Sequence, residues 1–135
     1  MLKELAVAAF MVLLTTTIHA LGLLLLSKLI RVEARHPARS VVTLVARSLA
    51  MLLGLMVLHG VEIWSYALLF VQLDAVSDFR GAVYFSTTTY SAIGYSDSAI
   101  KPEWALVAGI EGINGLILIG WSTAFLASVM TRLRP

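Results

Sequence analysis

Residues 82–97 read AVYFSTTTYSAIGYSD, a threonine-rich segment that runs into a short polar end containing one glycine. This stretch is too short and too polar at its end to cross a bilayer, because a spanning helix needs about 20 mostly apolar residues. The segments on either side, residues 48–73 and 104–131, are long and apolar enough to span. The stretch is therefore predicted to form a re-entrant hairpin.

A polar hairpin in this position predicts a pore. Polar backbone at membrane depth is tolerated only where it is buried in protein or lines a water-filled path. A cation that sheds its water there must be given other oxygens, and rings of backbone carbonyls supply them. Glycine suits such a loop, because alternating carbonyl directions require backbone angles that side chains penalise, and Gly94 meets that need.

Several residues of the hairpin also carry a family resemblance: Tyr84, Phe85, Ser86, Thr89, Gly94, Tyr95 and Asp97. Together they resemble the pore helix and selectivity filter of the potassium-channel superfamily, whose filter reads TVGYGD after a threonine-rich helix end. The resemblance extends from about Ser48 to Met130. It implies that the filter residues are Ala92, Ile93, Gly94, Tyr95 and Ser96, and that Asp97 places negative charge at the outer mouth.

The resemblance implies an outer helix, a re-entrant pore helix with its filter, and an inner helix. The uncharged apolar run at residues 5–27 adds a first spanning helix. The expected fold is therefore an all-α membrane protein with three transmembrane helices and a re-entrant pore helix and filter between the second and third. The pore module covers residues 48–131, and four copies around a four-fold axis form a homotetramer. Its expected parts are an outer helix at 48–73, a pore helix at 79–90, a filter at 92–97 and an inner helix at 104–131. Residues 1–30 add an N-terminal helix, 31–47 a basic loop and 132–135 a tail.

The filter departs from the family pattern at both ends. Ser91 and Ala92 stand where the family has two threonines, Ile93 replaces valine, and Ser96 replaces the second glycine. Ala92 lacks the hydroxyl that completes the innermost cation site. Ser96 would cost about 1–2 kcal/mol per subunit if it adopted the left-handed conformation. We therefore expect a cation pore that conducts K⁺ but discriminates less well against Na⁺.

Composition agrees with a multi-pass protein of the plasma or inner membrane. Hydrophobic residues make up 59% of the 135 residues and charged residues only 13%, far from the composition of a soluble domain. The absence of cysteine excludes disulfides and thiolate chemistry. A net charge of +2 gives no indication of nucleic acid binding.

Basic residues are concentrated in the loop after the first helix, at Lys28, Arg31, Arg35, Arg39 and Arg47. Short Lys- and Arg-rich loops stay in the cytoplasm, so this loop and the C-terminus are predicted to lie inside and the N-terminus outside. The cluster at Lys28, Arg31, Arg35 and Arg39 also suits anionic lipid headgroups, although topology alone is an alternative explanation.

Four polar residues in the spanning segments are expected to support the filter from behind, together with Thr88, Thr89 and Ser91. His59 lies three residues before Glu62, and Asn114 lies three residues after Glu111, so each pair shares a helix face. An unpaired charge at this depth costs about 2.5–3.5 kcal/mol. A hydrogen-bonded brace is one interpretation, and a proton-sensitive gate is the other.

The inner helix is rich in small residues, and the candidates for a hinge or gate are Gly112, Gly115, Gly120 and Ala124. The resemblance implies a glycine bend that opens the cytoplasmic mouth. Small residues also let membrane helices pack closely, so both explanations remain open.

Two other classes of function were weighed. A membrane enzyme would have to use His19, His59, Glu62 and Glu111, but no metalloprotease pattern, nucleophile elbow or phosphate loop is present, so we predict no enzyme. We also expect no cofactor and no metal beyond permeating cations. A nonconducting protein that keeps the channel fold as an assembly or accessory subunit remains the alternative, because fold alone does not establish conduction.

Overall fold

The computed structural model describes residues 1–34, 41–94 and 96–133. Four α-helices account for most of this chain: α1 (Leu2–Ala34), α2 (Val41–Gln72), α3 (Phe79–Tyr90) and α4 (Ala105–Leu133). Two short 3₁₀ turns, Asp97–Ala99 and Pro102–Trp104, connect the end of the loop after α3 to α4.

Three of the helices are long and apolar enough to cross a membrane, with candidate spans at Leu2–Leu29, Val41–Gln72 and Pro102–Thr131. This confirms the predicted fold class of three membrane helices with a re-entrant helix between the second and third. α2 begins seven residues before the expected 48, because residues 41–47 contain neither glycine nor proline to interrupt the helix. Both flanks of the predicted basic loop are therefore helical, and residues 35–40 lie outside the described residues.

The re-entrant helix α3 is only 12 residues long. At about 1.5 Å per residue it reaches about 18 Å, well short of the roughly 30 Å hydrocarbon core. Asp78 begins it, since its Oδ1 accepts a hydrogen bond from the Gly81 amide at 2.9 Å. This cap satisfies one of the free amides of the first turn.

The directions of the long helices follow from their side-chain contacts. Lys3 at the start of α1 lies 5.0 Å from the ring of Trp104 at the start of α4, and Asn114 donates to Thr15 at 2.7 Å. α1 and α4 therefore run in the same direction, while α2 runs against both. The start of the chain and the loop after α3 consequently lie at the same end of the bundle.

An aromatic core surrounds α3 at that end. Tyr66 and Phe70 of α2 are fully buried, and Phe70 meets Phe85 of α3 edge to face at 5.3 Å between ring centroids. Trp104 and Val107 of α4 complete this cluster. A second, aliphatic cluster around Leu23, Leu55 and Leu58 holds α1 against α2 toward the opposite end.

α4 passes close beneath the last turn of α3, at two of the glycines proposed as hinges. A Cβ on Gly112 would lie 3.3 Å from the Thr89 carbonyl oxygen, and one on Gly115 would overlap the Tyr90 carbonyl oxygen and ring. In the described part of the chain, nothing lies within 4 Å of a Cβ on Gly120. Close packing thus accounts for Gly112 and Gly115, and hinge motion stays a prediction.

We expect Gly115→Ala to destabilise the folded chain, because the added methyl group meets backbone that cannot yield. Overpacking of this kind costs about 1–3 kcal/mol. The measurement is the free energy of unfolding in mixed detergent micelles, followed by tryptophan fluorescence. Gly120→Ala is the matched control and should be neutral or stabilising, because alanine favours helix over glycine by about 1 kcal/mol. Equal effects of the two substitutions would contradict the close-packing explanation.

Candidate functional site

The loop after α3 folds its amides back onto that helix. Ala92 N–H donates to the Thr89 carbonyl at 2.9 Å, while the amides of Ile93 and Gly94 both donate to the Thr88 carbonyl, at 3.0 and 3.1 Å. Among the described residues, no backbone amide donates to the carbonyls of Ala92, Ile93 or Gly94. These three amides therefore bond within the chain, while the carbonyls of the same residues have no backbone partner in the described part of it.

Two residues of the loop have left-handed backbone angles. Gly94 has φ of +99° and Ala92 has φ of +57°, a conformation that costs an alanine about 1–2 kcal/mol. Ser96, the residue for which that cost was considered, is extended at φ −81° and ψ 138°. The strain in the described part of the loop thus lies at its inner end. It falls on Ala92, because the chain must reverse direction immediately after α3.

The loop side chains face away from the subunit's own core. Ile93 is 77% exposed, and so does not pack against the described part of its own subunit. Tyr95 and the side chain of Asp97 lie outside the described residues. Their proposed roles in the filter and at the outer mouth remain predictions.

Three of the residues expected to support the filter lie at the end of α3 or directly after it, and two of these, Thr88 and Ser91, have hydrogen-bonded hydroxyls. The Thr88 hydroxyl donates to the Phe85 carbonyl at 2.9 Å, and the Ser91 hydroxyl donates to the Thr87 carbonyl at 2.6 Å. Both reinforce the end of α3 from which the filter loop starts. The Thr89 hydroxyl is buried and has no hydrogen-bond partner among the described residues.

Behind α3, a buried carboxylate gathers side chains from three helices. Glu62 of α2 is fully buried and accepts a short hydrogen bond from the hydroxyl of Tyr90, the last residue of α3. His19 Nδ1 of α1 lies 2.9 Å from Glu62 Oε1, and His59 Nδ1 lies 3.2 Å from Glu62 Oε2. We call these four residues, with Ser122 of α4, the Glu62 cluster.

Ser122 closes the cluster on the side away from Glu62. Its Oγ lies 3.0 Å from His59 Nε2 and 3.4 Å from His19 Nε2. Each imidazole therefore has both ring nitrogens within hydrogen-bond distance of an oxygen. Hydrogen bonds to a charged group contribute about 1.5–3 kcal/mol each, so this arrangement offsets the cost of holding Glu62 at membrane depth.

Glu111 and Asn114, the second pair predicted from helix spacing, are not hydrogen-bonded to each other. Asn114 donates instead to Thr15 of α1 at 2.7 Å and to the Tyr66 hydroxyl of α2 at 3.3 Å. Glu111 is fully buried, yet neither of its carboxyl oxygens has a hydrogen-bond partner among the described residues. The nearby hydroxyl of Ser86 faces Glu111, but it too lacks a well-formed hydrogen bond in the described part of the chain. Glu111 and Asn114 do not bond because the Asn114 side chain is turned toward α1. Their spacing along the helix does not reveal this orientation.

The remaining predicted residues lie apart from both groups. Gly120 and Ala124 are exposed on α4, on the face opposite to Ser122. Lys28 is exposed near the end of α1, whereas Arg35, Arg39 and the side chain of Arg31 lie outside the described residues. The hinge or gate and the anionic lipid site remain predictions.

Comparison with known proteins decides the family. The model of a family described as "Ion channel" matches residues 54–132, more than half of the chain. The chain belongs to the ion channel family. The match includes α3, the filter loop and most of α2 and α4, and it leaves α1 outside. No curated protein and no solved structure gives a significant match to the chain.

Family membership confirms the resemblance of residues 48–130 to a channel pore module preceded by an extra helix. It also accounts for the loop geometry in general terms, since an ion channel needs unpaired oxygens on its path. The Glu62 cluster is partly a feature of this chain's own architecture, because His19 comes from the helix that the family match does not include.

Sequence reasoning did not place His19, Tyr90 or Ser122 in the cluster. His19 carried the best signal, as the one imidazole in a long run without charged residues. Tyr90 and Ser122 are ordinary residues for membrane helices, and their partners lie 28 and 63 residues away. Only the packing of the helices brings them together.

Replacing Glu62 with Gln keeps the side-chain size, but it exchanges the carboxylate that accepts a hydrogen bond from the Tyr90 hydroxyl for a neutral amide. We expect Glu62→Gln to lower the free energy of unfolding in mixed detergent micelles by about 2 kcal/mol, the typical contribution of a hydrogen bond to a buried charge. Glu103→Gln makes the same change in the exposed turn before α4 and should stay within about 0.5 kcal/mol of the parent. If Glu62→Gln were equally neutral, the cluster would contribute nothing to stability.

Proposed function

We propose that the chain is a homotetrameric cation channel that conducts K⁺ and discriminates against Na⁺ less strictly than the TVGYGD filter does. The observation that carries this proposal is the hydrogen bonding of the loop after α3. The amides of Ala92, Ile93 and Gly94 are committed to the carbonyls of Thr88 and Thr89, and the carbonyls of these same three residues accept from no described backbone amide. Carbonyl oxygens without amide donors can replace the water that a cation sheds on entering the membrane.

The exposed face of α4 supports four-fold assembly. Ile113 and Ile117 are 64% and 62% exposed, and with Gly120 and Ala124 they recur at helical spacing on one face. The opposite face, which includes Glu111, is buried within the subunit. In the proposed tetramer the exposed face lines the path below the filter. Native mass spectrometry of the purified chain in detergent tests this, with a tetramer expected and a monomer or dimer contradicting it.

The composition of the filter supports reduced selectivity. Ala92 has no side-chain oxygen, so four subunits would present no hydroxyls at the innermost site. A cation there would have fewer ligands than in a filter with threonine, and potassium selectivity depends on the number and strength of coordinating oxygens.

The basic residues support placing the filter end of the bundle outside the cell. That end also holds the start of α1, while the Arg- and Lys-rich segments adjoin the opposite end. We therefore propose an outer N-terminus and a cytoplasmic C-terminus.

Reconstituted liposomes with opposed K⁺ and Na⁺ gradients test conduction and selectivity together. We expect a current whose reversal potential shows that K⁺ is preferred while Na⁺ permeates measurably. A strictly K⁺-selective current would refute reduced selectivity. No ion flux from a correctly folded tetramer would favour the nonconducting accessory subunit.

Ala92→Ser should raise the K⁺ over Na⁺ permeability ratio severalfold, because it restores four hydroxyl oxygens at the innermost site. Serine is preferred to threonine for this test, since a β-branched residue is strained at positive φ. Reversal potentials are compared with those of Ala99→Ser, the same substitution in the exposed turn beyond the filter. An unchanged ratio in Ala92→Ser would show that the missing hydroxyls do not limit selectivity.

A further inference from the structure

The Glu62 cluster brings together two imidazoles and one carboxylate in an arrangement that suits a metal ion. One ligand atom from each of His19, His59 and Glu62 lies within 4.8 Å of the other two. The nearest pairs are 2.9 Å for His19 Nδ1 and Glu62 Oε1, and 3.2 Å for His59 Nδ1 and Glu62 Oε2. Ligands about 2.0–2.1 Å from a tetrahedral zinc ion lie about 3.3 Å from one another. Each imidazole therefore lies near that separation from one Glu62 oxygen, although the two rings face different oxygens of the carboxyl group.

The surroundings of the three residues match those of metal ligands. A metal-bound histidine ordinarily donates its other ring N–H to an oxygen, and a ligating carboxylate is itself hydrogen-bonded. Ser122 Oγ is within reach of Nε2 on both His19 and His59, so one hydroxyl can accept from both rings. In that tautomer both Nδ1 atoms present lone pairs to a metal ion beside Glu62, and His59 Nδ1 also lies 3.0 Å from the Tyr90 hydroxyl. The Tyr90 hydroxyl donates to Glu62 and fixes the carboxylate.

We propose that His19, His59 and Glu62 bind a divalent transition metal ion, with Zn²⁺ as the best-fitting ion and water in the fourth position. Two imidazoles and one carboxylate form a ligand set found in zinc proteins. The set is unsuited to Ca²⁺ or Mg²⁺, which require mostly oxygen ligands. His59 is 15% exposed, whereas His19 and Glu62 are fully buried, so an ion reaches the site past His59.

This site differs from the proposed ion path in its chemistry and its place. Its ligands are side chains that include two nitrogens, whereas the filter offers backbone oxygens. It joins α1 to α2 behind α3, and no sequence motif marks it, because His19 and Glu62 are 43 residues apart. Sequence analysis therefore expected no metal beyond permeating cations.

Equilibrium binding to the purified full chain tests the proposal. The chain is freed of any affinity tag, stripped with a chelator and titrated with Zn²⁺ in detergent. We expect one ion per chain, and at least about a tenfold loss of affinity in His19→Gln and in His59→Gln, as even supporting residues cost 10–100-fold in such sites. Glu111→Gln is the matched control, because it changes a buried carboxyl outside the cluster and should bind like the parent.

Replacing one histidine ligand with cysteine tests the metal site by a second route, which applies even if a glutamine variant fails to fold. The chain has no cysteine, so His59→Cys introduces a single thiol at the proposed site. Co²⁺ bound there should produce a thiolate charge-transfer absorption band, together with the visible bands of a tetrahedral ion. The proposal would be overturned if that band were absent. It would also be overturned if Zn²⁺ binding did not saturate, or if it persisted after both histidines were replaced. The cluster would then be a purely hydrogen-bonded one. Binding is measured without ion flux, so this result and that of the conduction test are independent.

Discussion

Polar backbone inside a membrane must find its partners within the protein, and directly after α3 this requirement is met for the amides of three successive residues. The carbonyls at the end of the short helix accept the amides of Ala92, Ile93 and Gly94. The loop can only do this by reversing direction, which places Ala92 and Gly94 at positive φ. The carbonyls of these three residues have no described amide donor, and this asymmetry is the basis of the cation path that we propose.

The close approach of α4 keeps this turn in place. Gly115 allows the helix to pass directly beneath Tyr90, whose hydroxyl is bound to Glu62 on the other side. Tyr90, the last residue of α3, is thus held both by packing against Gly115 and by a hydrogen bond to the buried Glu62. The family match explains why such a module exists, whereas His19 of α1 shows how the additional helix is attached to it.

The two buried glutamates show how far sequence reasoning reaches. Hydropathy and length suffice for three spanning helices, and the short, polar 82–97 stretch suffices for a re-entrant segment. Spacing within one helix correctly suggested that His59 and Glu62 lie together. The same argument fails for Glu111 and Asn114, because Asn114 bonds to Thr15 and Tyr66 on neighbouring helices. Contacts between helices depend on rotation and depth, which helical periodicity does not specify.

The same limit applies to the loop. The need for positive φ at Gly94 follows from its residue type, but a left-handed Ala92 does not, since alanine gives no sign of it. The parallel course of α1 and α4 is also a property of packing. It places the start of α1 beside Trp104, at the start of α4, and Leu133 at the other end of a bundle that spans the bilayer. A fluorophore or antibody epitope attached at each end would therefore report from opposite compartments, so the two surfaces of the membrane can be addressed separately on one polypeptide.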